Sequence, residues 1–215
     1  MKNTDNITLE DLQVNKLYIY QDSTQFKFGS DSVLLANFVK SNNKNIVLDI
    51  GSGSGIIPIL LAGKLGFQNI YGVEINKNIA ELSCRSIVLN NLQDKIQIIN
   101  APIQNIKHYL CNGICKVVTC NPPYNQVGRG DTSQNLNISK ARFEDTLSLQ
   151  EVLKAANYLL STGGKFYMIH QVYRMAEIMH ECIQNKLQPK IIKLIDKKRF
   201  LIQCTKDGKV GLLII

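Results

Sequence analysis

The chain of 215 residues predicts an α/β fold: a mostly parallel sheet covered by helices on both faces, closing in an antiparallel C-terminal hairpin. Three observations predict it. Short apolar runs of strand length alternate with helical stretches along most of the chain. One of those runs leads into a glycine-rich loop that opens a helix. The last apolar runs follow one another with no helix between them, so they pair antiparallel.

The elements follow in order. Leu17–Tyr20 and Gln25–Phe28 read as a hairpin, and Asp31–Lys40 as a helix. A strand at 46–50 leads to a helix at 55–65, and a strand at 70–74 to a helix at 77–90. Strands at 96–99 and 116–120 come next, the second running straight into Asn121. A helix at 148–160, a strand at 164–169, a helix at 173–186 and strands near 190–195, 200–205 and 210–214 complete the chain. Residues 1–215 are expected to form a single domain, with the hairpin and first helix in 1–45 and the core in 46–215. Asn125–Lys140, rich in Gly, Ser, Asn and Gln, reads as a substrate loop. In an open parallel sheet, ligands bind at the carboxyl ends of the strands. Asp49, Glu74, Asn100 and Asn121 each fall at or just past such an end.

Composition narrows the classes. Hydrophobic residues make up 45%, and 25 Lys and Arg against 17 Asp and Glu leave a net charge of +8. No apolar stretch reaches membrane-spanning length, and Met1–Asp5 lacks the form of a signal peptide, so a cytoplasmic protein with no membrane partner is expected. The six cysteines are scattered as reduced thiols would be. His108, Cys111, Cys115 and Cys120 match no common metal spacing, and no metal is expected. Basic residues gather at Arg129, Lys140 and Arg142 and again at Lys197, Lys198 and Arg199. Such surfaces attract phosphate backbones; the plain alternative is a solvated basic face.

The loop Gly51-Ser52-Gly53-Ser54-Gly55 follows the apolar run Ile46–Ile50. Its glycines allow a ligand to approach the backbone closely. It does not fit a dinucleotide fingerprint, which needs a small residue where Ile56 or Pro58 stands. The pattern is Asp49-x-Gly51-x-Gly53-x-Gly55, with an acid at the strand end. That suits a ligand without phosphate and with a cationic amino-acid end, of which S-adenosylmethionine is one. Glu74 ends the next strand at the spacing expected of an acid that binds ribose hydroxyls. The alternative for Glu74 is a cap on the helix that starts near Asn76.

Val117–Cys120 reads as a buried strand and runs into Asn121-Pro122-Pro123-Tyr124. Two prolines stiffen the turn. The Asn121 amide oxygen and the Pro122 carbonyl are two acceptors for a planar –NH2 group, and Tyr124 offers a face for stacking. The plain alternative is a proline turn with a packed tyrosine.

Asp49–Gly55, Glu74 and Asn121–Tyr124 resemble three motifs of class I S-adenosylmethionine-dependent methyltransferases that modify amino nitrogens. Phe26–Phe38, Ile56–Ala62 and the closing Leu201–Leu213 stretch are similar to the tRNA1(Val) adenine-N6 methyltransferase family. The resemblance implies a Rossmann-like fold, S-adenosyl-L-methionine as cofactor, and methylation of an adenine N6 in tRNA; a monomer or weak dimer is expected. It implies Asn121, Pro122, Pro123 and Tyr124 as catalytic residues. Around the cofactor it places Asp31, Asp49, Gly51, Gly53, Gly55, Glu74, Ile75, Asn100 and Ala101. Arg129, Lys140, Arg142, Lys197, Lys198 and Arg199 would meet the RNA. Where that family carries an acid near the cofactor adenine, this chain has Pro102, leaving Asn100 or backbone groups for the role. Ala141-Arg142-Phe143-Glu144 has Phe where a His is common in the family. Two other readings stand beside this one: a glutamine-N5 methyltransferase of proteins, and a non-catalytic RNA-binding protein of the same fold.

Overall fold

The computed structural model describes residues 6–23, 29–122 and 147–215. Its N-terminal pair is a two-stranded antiparallel sheet, β1 (Ile7–Asp11) with β2 (Tyr18–Asp22). The expected hairpin paired Leu17–Tyr20 with Gln25–Phe28; the observed partner lies earlier in the chain, and Gln25–Phe28 lies outside the described residues. β1 is hard to read because its residues are exposed or only half-buried, and its charged end weakens the apolar alternation. Helix α1 (Ser30–Phe38) follows.

The main sheet then forms: β3 (Ile46–Ile50), α2 (Ile56–Gly63), β4 (Asn69–Glu74), α3 (Lys77–Leu89) and β5 (Ile96–Asn100). A 3-10 segment Ile103–His108 leads to β6 (Cys115–Cys120). Beyond residue 146 come α4 (Leu149–Leu159), β7 (Leu160–Gln171), a 3-10 turn Val172–Arg174, and α5 (Met175–Gln184). The chain closes with β8 (Leu187–Leu194), β9 (Arg199–Lys206) and β10 (Leu213–Ile214).

The eight strands lie in the order β10-β8-β9-β7-β6-β3-β4-β5. β3 through β7 pair parallel, whereas β9 runs antiparallel between β7 and β8. The closing antiparallel pair is therefore present, with β10 added parallel to the outer side of β8. Strand order reverses at β3, which has β4 on one side and β6 on the other. The crevice outside the carboxyl ends of β3 and β6 is the place where such sheets hold ligands.

Alternation along the strands builds two cores. Leu48, Ile50, Val118, Phe166, Met168, Phe200 and Ile202 face α4, α5 and the 3-10 segment. Val47, Val117, Tyr167, Ile169 and Leu201 face α1, α2 and α3. Helix α2 is buried from Ile56 through Ala62, as expected of a helix apolar on every side. The open edge of β2 meets polar side chains of α3 and its end in place of another strand. Tyr20 N–H donates to Ser86 Oγ at 2.9 Å, and Tyr18 N–H to Asn90 Oδ1 at 2.9 Å.

Helix α4 starts with a reciprocal cap. Ser148 Oγ accepts from Glu151 N–H, and the Glu151 carboxylate accepts from Ser148 N–H at 2.9 Å. This start fixes Leu147 beside the glycine loop, where a β-carbon on Gly51 would meet Leu147 Cδ2 at 3.4 Å. Ser148→Ala is expected to lower the unfolding free energy by about 0.5–2 kcal/mol. Urea melts would show a lower midpoint with an unchanged slope; an unchanged midpoint would mean the cap contributes nothing.

Candidate active site

Three short segments meet at the carboxyl edge around the β3–β6 crevice. The first is the glycine loop, where Gly51, Gly53 and Gly55 have φ of +67°, +54° and +86°. Left-handed backbone at all three lets the chain turn tightly between β3 and α2. At Gly55 a β-carbon would also collide with Ser83 Oγ of α3, so the loop lies hard against that helix. The loop folds back over β4, with Ser52 N–H donating to Val73 O at 2.9 Å. Gly72 makes the space, since a β-carbon there would stand 2.8 Å from Ser52 Oγ.

The second segment is the end of β4. Glu74 is buried, and its two carboxylate oxygens accept separate amide N–H groups: Gly53 at 2.9 Å and Asn76 at 2.8 Å. Asn76 in turn caps α3, its Oδ1 accepting from Asn78 and Ile79 N–H. The helix-cap alternative for Glu74 is not what the structure shows, since Asn76 is the cap; Glu74 instead holds the cap residue and the glycine loop. Burial raises its carboxyl above the ordinary value, and the Asn76 and Gly53 amides oppose that rise. Asn100, one strand over, gives its amide N–H groups to the carbonyls of Glu74 at 2.8 Å and Ile75 at 3.1 Å. It therefore props the turn that leaves Ile75 half-exposed, while Ala101 beside it is buried.

The third segment joins β3 to β6. Asp49 is 1% exposed, and its Oδ1 accepts from Thr119 Oγ1 at 2.6 Å. The two residues stand opposite each other in the parallel register. Asp49 Oδ2 is buried with no hydrogen-bond partner among the described residues. Burial pushes the Asp49 carboxyl up to about 7; the Thr119 hydroxyl pulls it down and the nearby Glu74 charge adds to the rise. Two residues past Thr119, Asn121 Nδ2 donates to Ser32 Oγ at 3.0 Å. This bond commits the nitrogen end of the amide to α1. Ser32 is buried. Pro122 is buried beside Asn121, and Pro123 and Tyr124 lie outside the described residues.

With this geometry in place, comparison with known proteins is decisive at the family level. A family model for the methyltransferase small domain matches residues 23–193. The chain belongs to the methyltransferase small domain family. This methyltransferase is 29% identical over 196 residues to a tRNA1(Val) (adenine(37)-N6)-methyltransferase of Trichodesmium erythraeum, covering 87% of the chain and 81% of the relative. It is also 29% identical to a protein of the same name from Flavobacterium psychrophilum, covering 68% of the chain and 62% of the relative. Among solved structures it resembles a predicted O-methyltransferase from Agrobacterium tumefaciens with a TM-score of 0.65 and 20% identity, covering 86% and 84% of the two chains. It also resembles M. jannaschii TYW2 in complex with AdoMet, with a TM-score of 0.62 and 14% identity, covering 93% and 85%. These two likenesses bear on the fold.

The remaining predicted residues of the methyltransferase divide. Asp31, at the start of α1, pairs with Arg199, whose guanidinium also grips Asp196 at 2.7 Å. Arg199 therefore ties α1 to the β8–β9 turn. Lys197 and Lys198 are exposed on that turn and make no ion pair with the described residues. Arg129, Lys140, Arg142 and the expected loop Asn125–Lys140 lie outside the described residues. No helix among the described residues is long and apolar enough to cross a membrane. Among the same residues, no cluster of ligating side chains suits a metal. Sequence reasoning passed over Ser32 and Thr119. Thr119 carried a signal, being a polar residue within a buried strand and level with Asp49; Ser32 became visible only through the packing of α1.

Asp49 has a pH consequence. Its folded value lies above its unfolded one, so its stabilising contribution is complete below about pH 4 and is lost as pH rises through about 7. Asp49→Asn keeps an acceptor for Thr119 and cannot ionise. The variant is expected to gain on wild type as pH rises from about 5 to about 8, by as much as a few kcal/mol at roughly 1.4 kcal/mol per unit. Urea melts of both proteins at each pH would show it; parallel pH profiles would contradict it.

Proposed function

We propose that this methyltransferase transfers a methyl group from S-adenosylmethionine to the exocyclic N6 of an adenine in tRNA, at adenine 37 of tRNA1(Val) as its relatives are named. The observation that carries the reading is the position of Asn121-Pro122. This amine-accepting turn leaves β6 in the same crevice as Asp49 and the glycine loop, one residue past the level of Ile50.

The residues present fit the cofactor. The buried Asp49 oxygen without a partner suits the ammonium of its amino-acid end. Gly51, Gly53 and Gly55 leave room for close approach. Glu74 accepts one amide N–H on each carboxylate oxygen, and each oxygen keeps a lone pair for a ribose hydroxyl. Ile75 offers apolar contact to the adenine, with Asn100 fixing the turn that presents it, whereas Ala101 is packed in the core. When bound, S-adenosylmethionine supplies an electrophilic methyl on a sulfonium. Asp31, paired with Arg199, supports the start of α1.

Asn121 Oδ1 and the Pro122 carbonyl would accept the two N6 hydrogens, directing the nitrogen lone pair out of the ring plane. Ser32 holds the opposite end of the Asn121 amide, so the orientation is set before substrate arrives. A strong base is unnecessary, because the N6 proton becomes acidic only as methylation proceeds. Tyr124 would stack on the extruded base. A glutamine carboxamide fits the same two acceptors, so substrate choice is settled by experiment. Labelled cofactor offered with total tRNA and with release factor should give N6-methyladenosine in the tRNA. Label confined to protein glutamine would overturn the reading, and binding of RNA without transfer would make the protein non-catalytic.

Glu74→Gln should weaken S-adenosylmethionine binding by about 1–3 kcal/mol, the range for hydrogen bonds to a charged partner. Calorimetry on the folded variant checks this, and unchanged affinity would remove Glu74 from the ribose. Asn121→Ala should lower kcat strongly with KM for both substrates nearly intact. Tyr124→Phe should be mild and Tyr124→Ala severe. Equal damage in the two tyrosine variants would assign the role to the hydroxyl and reject stacking.

A further inference from the structure

Asp49 and Thr119 form a pair across two strands. In the parallel register Asp49 stands level with Gly72 of β4 on one side and with Thr119 of β6 on the other. Gly72 brings no side chain, so the level partner able to hydrogen-bond Asp49 is Thr119. Its hydroxyl donates to Asp49 Oδ1 at 2.6 Å, and Thr119 is fully buried. The donor is rigid, because a β-branched side chain in a sheet has few rotamers. Fixing Oδ1 fixes the plane of the carboxyl and with it Oδ2, which is buried and has no partner among the described residues.

The surroundings act on the charge of this acid in opposite directions. Burial pushes Asp49 up to about 7, and the Glu74 charge, two residues beyond Gly72, adds to the rise. Cys120, beside Thr119, stays a neutral thiol because burial raises it well above its ordinary value. No cation among the described residues pairs with Asp49. The Thr119 hydroxyl works the other way and favours the ionised carboxyl. We propose that Thr119 is a positioning residue for the cofactor: it holds one oxygen of Asp49, reserves the other for the ammonium of S-adenosylmethionine, and eases the loss of the Asp49 proton that this cation requires. The step balances as an exchange. The neutral carboxyl releases its proton to solvent, and the ammonium becomes the positive partner of the carboxylate. This inference rests on the assignment of Asp49 to the cofactor above and is independent of which substrate receives the methyl.

The test is calorimetry of S-adenosylmethionine binding to the full chain, without RNA, across pH. Below about pH 7, wild type should lose up to about tenfold in affinity per unit and release about one proton on binding, read from the dependence of the heat on buffer ionisation enthalpy. Asp49→Asn should bind weakly at every pH and release none. Thr119→Val should bind about 10-fold more weakly than wild type at about pH 6, and the difference should vanish by about pH 9.5, where Asp49 is ionised in both proteins. The ratio of the two affinities cancels the titration of the cofactor's own amine, which is common to both. Thr119→Ala gives the same reading should the Val variant fold poorly. Thr119→Ser keeps the hydroxyl and should abolish the difference. A ratio that is the same at every pH would make Thr119 a packing residue and overturn the proposal alone. Wild-type affinity in Asp49→Asn, or no proton released by wild type at acid pH, would take Asp49 away from the ammonium and overturn both the proposal and that assignment.

Discussion

One buried carboxylate sets the geometry of the loops at the carboxyl edge of the sheet. Glu74 receives the Gly53 and Asn76 amides on its two oxygens. A carboxylate taken out of water is costly unless donors replace its hydration, and here the donors come from two different loops. The same bonds that satisfy the charge therefore lock the glycine loop to the start of α3. Through Asn76 the order passes to the first turn of that helix, and through Asn100 to the end of β5. A lone helix cap would hold one of these loops; a side chain at the end of a central strand holds both.

Asp49 is built on the opposite principle. Its neighbour Thr119 satisfies one oxygen, and the other is left buried with no donor among the described residues. The fold thus keeps a buried, half-satisfied carboxyl at the reversal point of the sheet, whose cost rises as pH climbs towards about 7. Strain retained at one position and compensated elsewhere is a mark of a functional site. Glu74 completes the loop, and Asp49 leaves an electrostatic demand that a cation can meet.

Much of this was legible in the chain, and the reasons differ between elements. The β-then-α order from Ile46 to Asn100 was readable because buried parallel strands are continuous apolar runs, broken by a glycine loop and by a polar helix cap. Glu74 was readable as an acid at a strand end, but its bonds to Gly53 and Asn76 were not, because those depend on how the loop folds back over Gly72. The first strand was missed since Ile7–Asp11 is exposed along much of its length and its turn uses Gln13, Asn15 and Lys16 at positive φ without any glycine. β7 begins at Leu160, before two glycines that read as a loop. The helix expected over 173–186 begins instead as a 3-10 turn, which places Tyr173 at the edge of the sheet and not on a helix face. Arg199 read as one more cation in a basic cluster; that two carboxylates enclose it follows from the approach of α1, which lies far away in sequence.

The reversed direction of β9 has a consequence for how such a molecule can change. Because β9 runs against β7, its first residue lies at the carboxyl edge, and the short turn before it is delivered to the mouth of the site. That turn lies on the far side of β7 and β6 from the glycine loop. Surface turns accept new residues and altered length at little thermodynamic cost. That turn can therefore drift or lengthen while the strands and the glycine loop stay as they are. One end of this edge can be remodelled over generations without rebuilding the other.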